Sequence, residues 1–371
     1  MQKCKEAKSN YIIGVPRKLI QNNKNVIITA KKVLMSEYFV LYLSLIFFAV
    51  LAPFVPRFAS LENIGNIFSN MWPLLCVAAG QTIVLIIAGI DLSQTSVIAF
   101  TSVIGSVFMT QNVNPDIFSK SPLWGWFLSQ SGGPLAGRGY AVICSILIMI
   151  ATGCLIGFLN GVFIAHFSMP PFMVTLVSQM FFGAFAIYLT KSENVMGLPK
   201  SFISLGNDEL LFIPYSFIIA VLLCILAHFI LNFTVLGRYL YAVGTNVKAS
   251  VVSGIPSKKV IIFAYVFSGF CATIGSILYS SRLQMGRPTM GSNILMDIVG
   301  ATVIGGTSMF GGKGKVIWTV FGVFFFVLLA NALNLLNLSY FTINIVKGAI
   351  ILLAALFDVM RTRIFASEHG K

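Results

Sequence analysis

Apolar stretches long enough to cross a bilayer follow one another along almost the whole chain, and that succession limits the fold more than any motif does. A helix needs roughly 17 to 25 mostly apolar residues to cross about 30 Å of hydrocarbon. About ten such stretches are expected, centred on Glu37–Val55, Ile64–Ile87, Ser93–Phe108, Tyr140–Ala165, Phe172–Leu189, Leu211–Phe233, Val260–Ser280, Leu295–Ile304, Val316–Leu336 and Thr342–Phe357. The third and eighth are short and interrupted by glycine. Backbone polar groups have no water to bond inside lipid, so a spanning segment of this length is a helix. Hydrophobic residues make up 57% of the 371 and charged ones only 10%, against roughly 25% charged in a soluble domain. The fold class is therefore all-α, a polytopic helical membrane protein. Three parts are expected: a basic N-terminal segment 1–36, a single transmembrane domain 37–360 and a tail 361–371.

The net charge of +14 has a topological meaning. Basic residues are scattered among short loops rather than gathered on one face, which argues against nucleic acid as a partner. With the N-terminus in the cytoplasm, most Lys and Arg fall on that side, and Arg57, Lys120, Arg138, Lys191, Lys200, Arg282 and Arg287 fall on the other. The bias supports an even number of crossings with both termini cytoplasmic. The first 35 residues lack a short apolar run followed by a cleavage site, so they do not read as a signal peptide. Lys24–Met35 reads as a solvated tail, or as an amphipathic helix on the membrane surface.

Chemistry inside the membrane is sparse. The cysteines Cys4, Cys76, Cys144, Cys154, Cys224 and Cys271 have no paired ligand spacing, and free buried thiols are the ordinary reading. With His166 and His228 the only histidines near the spans, no metal or relay site assembles. No triad, HExxH or paired-carboxylate pattern points to an intramembrane enzyme. Asp91, in AGIDLSQTS, follows a helix-weakening Gly89 and has Ser93 and Thr95 beside it. It reads either as part of a broken helix lining a path or as the N-cap of the next helix. Asp297 is read as a capping or packing residue, Asp358 as interfacial, and Lys347 lies within the last span, 11 residues before Asp358 and too far to pair with it. The run IGGTSMFGGKGK, residues 304–315, lacks the GK[ST] ending of a phosphate loop. Its glycines Gly305, Gly306, Gly311 and Gly312 are read as helix-packing positions, as is the face Gly153/Gly157/Gly161.

A polar, basic interruption at Gly237–Lys259, GRYLYAVGTNVKASVVSGIPSKK, reads as a docking surface without catalytic residues. The strings AGIDLSQTS (88–96), GFLNGVFIAHFSMPPFMVTL (157–176), GRYLYAVGTN (237–246) with SGI (253–255), VIGGTSMFGGKG (303–314) and LNLLNLSYFTINIVKGAIILLAALFD (333–358) together carry a resemblance. The chain resembles the permease subunits of bacterial ribose-type, simple-sugar ABC importers. The resemblance implies a multi-pass protein of the bacterial inner membrane, working as a homodimer or heterodimer with a related permease. It also implies ATP-binding cassette ATPase subunits below and an extracytoplasmic sugar-binding protein above. No cofactor is expected in the chain itself, ATP and magnesium belonging to the partner ATPase.

The resemblance makes the segment 237–259 the coupling element, with Arg238, Gly244, Asn246, Lys248, Ala249 and Gly254 at the ATPase. Lys248 stands where the family usually carries a neutral or negative residue, which implies a complementary acidic site on the partner. Gln94 and Thr95 replace Val-Gly of the family's GIDLSVGS, and Leu295 and Met296 precede Asp297 where the family has Glu-Leu-Asp. These departures fall near the expected path, for which Asp91, Ser93, Gln94, Thr95 and Asn334 are the candidate lining residues. The solute is expected to be a ribose-like monosaccharide moved by alternating access, a nucleoside or small furanosyl signal molecule being the alternative. A second class remains open, an ion-driven secondary transporter working through Asp91 or Asp297.

Overall fold

The computed structural model describes residues 11–12, 15–16 and 38–369, with side chains described for residues 38–356. The stretch Lys24–Met35 and the Asp358 side chain lie outside those residues. A minimal antiparallel pair, β1 (Tyr11–Ile12) and β2 (Val15–Pro16), precedes the helices. The helical chain then runs α1 (Phe39–Leu51), α2 (Leu61–Ile86), α3 (Gln94–Met109), α4 (Pro115–Phe118), α5 (Ala141–Phe167), α6 (Pro171–Thr190) and α7 (Lys200–Asn207). A small hairpin, β3 (Glu209–Leu210) and β4 (Ile213–Pro214), leads into α8 (Tyr215–Phe233). The remainder is α9 (Val235–Thr245), α10 (Val247–Val252), α11 (Ser257–Leu283), α12 (Leu295–Gly305), α13 (Val316–Leu335) and α14 (Tyr340–His369).

Among the described residues six helices, α2, α5, α6, α8, α11 and α13, are long and apolar enough to cross a membrane, and α1, α3, α12 and the described part of α14 are shorter apolar helices. Each corresponds to one of the expected stretches, and the chain is a polytopic helical membrane protein. Burial separates the long helices into two groups. The apolar windows of α2, α11 and α13 are 89%, 67% and 61% buried, whereas those of α5, α6 and α8 are 28% buried. The first group is therefore the centre of the bundle and the second its lipid-facing wall, where exposed Leu, Ile and Phe need no protein partner.

Small residues let the wall helix α5 approach the central α11 closely. Gly153, Gly157 and Gly161 on α5 meet α11: a Cβ on Gly161 would stand 2.7 Å from the Ile262 Cα, and one on Gly157 would meet the Tyr265 carbonyl. Lipid supplies no hydrophobic drive between helices, so this backbone proximity, and the dispersion it allows, holds the pair. Polar pairs then set register. Ser276 Oγ donates to the Ile98 carbonyl at 2.8 Å and Ser280 Oγ to Ser102 Oγ at 2.7 Å, aligning α11 with α3. The amides of Asn63 and Asn331 donate to each other at 2.9 and 2.8 Å, aligning α2 with α13.

Several boundaries differ from the sequence reading. The sixth span starts at Tyr215 rather than Leu211, because Leu211 and Phe212 form the turn of the hairpin, with φ of 51° and 70°. The interruption 237–259 folds as most of α9, α10 and the first residues of α11. The eighth stretch, as the 11-residue α12, rises only about 16 Å and cannot cross alone. The last helix runs past Phe357 to His369, so the tail begins as a continuation of it.

Candidate functional site

The chain breaks between α2 and α3. Ala88 N–H donates to the Leu85 carbonyl at 2.9 Å and Gly89 N–H to the Val84 carbonyl at 3.0 Å, a Schellman ending with Ala88 at the left-handed position, φ 59°. Alanine there carries a strain that glycine lacks. Ala88→Gly is expected to stabilise the folded protein by about 1 kcal/mol, read as a raised midpoint of unfolding in detergent.

Asp91 follows, 1% exposed. Its Oδ1 accepts from Ser93 N–H at 3.0 Å and Ser93 Oγ at 2.6 Å, and its Oδ2 accepts from Ser268 Oγ of α11 at 2.6 Å. Gln94 Nε2 donates to Ser268 Oγ at 2.8 Å and to the Val77 carbonyl at 3.2 Å. Asn160 Nδ2 of α5 donates to Ser93 Oγ at 2.9 Å. Asp91, Ser93 and Gln94 are thus brought together in a closed network joining the break to α2, α5 and α11. They line neither of the two recesses described below. Asn160 and Ser268 were missed in sequence; a lone polar residue on an apolar helix was the available signal for each.

Thr95 lies on the far side of that network, facing a recess. The chain leaving α11 does not stay at the bundle end but turns back along α3. Arg287 N–H donates to Ser102 Oγ at 3.2 Å, and a Cβ on Gly291 would stand 3.0 Å from the Thr95 carbonyl. Those two α3 positions differ by about 10 Å of helix rise, so residues 286–294 descend into the bundle and α12 starts there. Irregular backbone at such depth is tolerated only inside protein or beside water. The segment borders a recess of about 130 Å³ lined by Thr95, Ser96, Gln179, Gly183, Met290 and Ser292, among others. Asn334 is not part of this region: it is exposed, in the last turn of α13.

The bundle end carrying Arg238, Lys248, Lys258 and Lys259 is the basic end, and there α10 stands out while α9 buries Leu240, Val243 and Gly244 against the bundle. Thr234 caps α9 by accepting from Gly237 N–H at 3.1 Å, and Asn246 caps α10 by accepting from Ala249 N–H at 3.0 Å. Gly254, φ 79°, ends α10 in a second Schellman motif, with Gly254 N–H to Val251 and Ile255 N–H to Ser250 at 3.0 Å each. Arg238, Asn246, Lys248, Ala249 and Gly254 are exposed, beside Val252 at 90% exposure. Gly244 is buried instead, where a Cβ would meet the Ile86 carbonyl.

The glycine-rich run ties this end together. Gly312 N–H donates to the Ile86 carbonyl at 2.8 Å, and a Cβ on Gly311 would stand 2.6 Å from the Gly244 carbonyl and 2.7 Å from Ala88 Cβ. Gly305 packs on Trp318, and Gly306, φ 112°, caps α12. Burial pushes the Tyr241 phenol above its ordinary value, and its hydroxyl donates to the Gly314 carbonyl at 2.7 Å. Through the buried Gly244, α9 is therefore in direct backbone contact with the break that carries Asp91.

Asp297 takes its partner from a neighbouring helix. Lys347 Nζ of α14 lies 2.7 Å from Oδ1 and donates to Oδ2 at 2.9 Å. Reading Lys347 only against Asp358 on its own helix overlooked this, because spacing along one helix says nothing of the helix beside it. Among the described residues no group of three or more His, Cys, Asp or Glu could hold a metal ion.

Residues 63–355 match the family described as branched-chain amino acid transport system / permease component. The chain belongs to this permease family. It is 32% identical over 318 residues to a ribose import permease protein of Haemophilus influenzae, covering 85% of this chain and 90% of that one. It is 30% identical over 305 residues to a ribose import permease protein of Bacillus subtilis, covering 82% and 86%. A D-allose transport system permease protein of Escherichia coli is 26% identical over 321 residues, 86% and 90% of the two chains. No solved structure matches. The resemblance to sugar permeases thus extends over most of this permease, well beyond the individual strings that first carried it.

Proposed function

We propose that this permease is the membrane subunit of an ATP-driven importer of a neutral monosaccharide, its basic end in the cytoplasm of a bacterial inner membrane. A separate cassette ATPase binds α9 and α10, an extracytoplasmic binding protein delivers the sugar, and a second permease subunit completes the path. The family description names amino acids, whereas relatives over 85–86% of this chain are ribose, allose and arabinose permeases. The recess carries the choice between them. It is lined by hydroxyl, amide and apolar groups with no charged side chain, and a zwitterion at that depth needs countercharges. A polyhydroxylated neutral solute needs none.

Ion-driven transport finds less support. Asp297 is engaged by Lys347 and Asp91 by three hydrogen bonds, so neither carboxylate stands open to a proton or sodium ion. ATP-driven movement has a mechanical route: α10 follows directly on α9, whose Gly244 and Thr245 bear on Gly311 and Gly312, which bear on Ala88 and Ile86.

Uptake of labelled ribose, arabinose, allose and leucine in host cells with and without this chain tests the reading. Chain-dependent uptake of a monosaccharide is expected; chain-dependent uptake of leucine alone would replace it with the amino-acid reading. Gly254 is a poor probe of docking, since its positive φ strains any replacement. Val252 is the better one. Val252→Glu is expected to lower the ATPase recovered with the purified full-length chain by about tenfold, an apolar contact at an interface being worth about 1.4 kcal/mol or more. Undiminished recovery would remove α10 from the docking surface.

A further inference from the structure

We propose that the recess between α3 and α6 is a contact site for the solute in transit, in which Gln179 and Ser292 hydrogen-bond a neutral polyol. The inference rests on the monosaccharide reading above and adds the residues that touch the sugar.

Gln179 carries it. It is the ninth of 20 residues in α6, so it lies near mid-depth of a helix about 30 Å long. It is half-buried and lines the recess, yet its amide hydrogen-bonds no described residue. An amide left without a partner at that depth costs several kcal/mol unless water or a ligand reaches it. The groups around it are suited to hydroxyls. Thr95 Oγ1 and Ser96 Oγ already donate to the residues just before α3, to the Leu92 carbonyl at 3.3 Å and the Ser93 carbonyl at 2.8 Å. They offer acceptors, Gln179 offers donors and an acceptor, and a sugar hydroxyl can answer either kind.

Gly183 keeps the floor open, since the nearest atom to a Cβ built there is Ser96 Cβ at 3.8 Å. Ser292 closes the remaining side from the descending segment. With Met290 it also lines a second recess, of about 200 Å³, with Arg287, Thr289 and Asn293. One strip of irregular chain thus forms the wall between the two spaces. Displacing that strip would join them into a route from the end opposite the basic one.

Cells lacking the chain, complemented with the full-length permease alongside its own partners, decide the matter, with labelled ribose as the probe. Gln179→Leu is expected to lower initial uptake about tenfold, the loss of a hydrogen bond of about 1.4 kcal/mol, with unchanged chain in the membrane. Gln179→Asn is expected to retain more. Ser292→Cys, treated with a membrane-impermeant thiosulfonate, is expected to lose uptake, and excess ribose to slow its modification. Ser131→Cys, on an exposed loop, is the modified control that keeps activity. Unchanged uptake in Gln179→Leu, with modified Ser292→Cys still active, would overturn the site. Should Gln179→Leu fail to reach the membrane, the Ser292→Cys result decides alone. Monosaccharide uptake that never depended on the chain would instead overturn the proposed function, and the wild-type comparison shows that separately.

Discussion

Replacing Lys347 by methionine is expected to destabilise the protein by about 3–5 kcal/mol, because it leaves the Asp297 carboxylate buried without its cation. The two charges lie 2.7 Å apart with side chains 10% and 15% exposed, on α14 and α12. A lone charge in a span costs roughly 2.5–3.5 kcal/mol even on insertion scales. Asp297→Leu, leaving the cation alone, is expected to cost a similar amount. The double variant Lys347→Met with Asp297→Leu is expected to recover most of the loss, since two apolar side chains need no compensation there. Thermal unfolding of purified wild type, both single variants and the double, in one detergent, gives the four corners of the cycle. Additive single-variant effects would mean that the pair does not hold α12 against α14.

Gly157→Leu is expected to cost about 3 kcal/mol, the upper end of what overpacking ordinarily costs. A Cβ at Gly157 would already collide with the Tyr265 carbonyl of α11, and its neighbours Gly153 and Gly161 are as close to that helix. The backbone cannot yield as a side-chain tip can, so α5 must move away from α11. Gly65→Leu is the matched control. It sits in α2 with nothing within 4 Å of its Cβ and is expected to be neutral or mildly stabilising. Folded yield after detergent extraction, followed by unfolding midpoints, separates the two. Similar losses at both sites would show that leucine bulk rather than the α5–α11 contact is responsible.

Most of the span pattern was legible in sequence because bilayer thickness sets a length that composition must meet. The expected stretches and the apolar helices agree to within a few residues at most ends. Tight packing at Gly153, Gly157 and Gly161 was legible for a similar reason, since spacing by four places glycines on one face. The site was less so. Asp91, Ser93, Gln94 and Thr95 were singled out together, yet the fold turns the first three into a closed network and only Thr95 toward a recess. Gln179 carried only the signal that Asn160 and Ser268 carried, a lone polar residue on an apolar helix. One glutamine in an apolar helix looks the same whether a neighbour satisfies it or not.

The sequence by itself determined that this chain crosses a membrane repeatedly as helices, and where α2 breaks, because both follow from local hydropathy and backbone freedom. The tertiary structure alone decided that residues 286–294 fold back to meet Thr95, that Lys347 pairs with Asp297, and that Gly311 touches both Gly244 and Ala88. Those contacts join residues far apart in the chain. In a bundle of similarly apolar helices, hydrophobicity does not choose neighbours; steric fit and a handful of polar pairs do. That choice exists only once the helices are assembled.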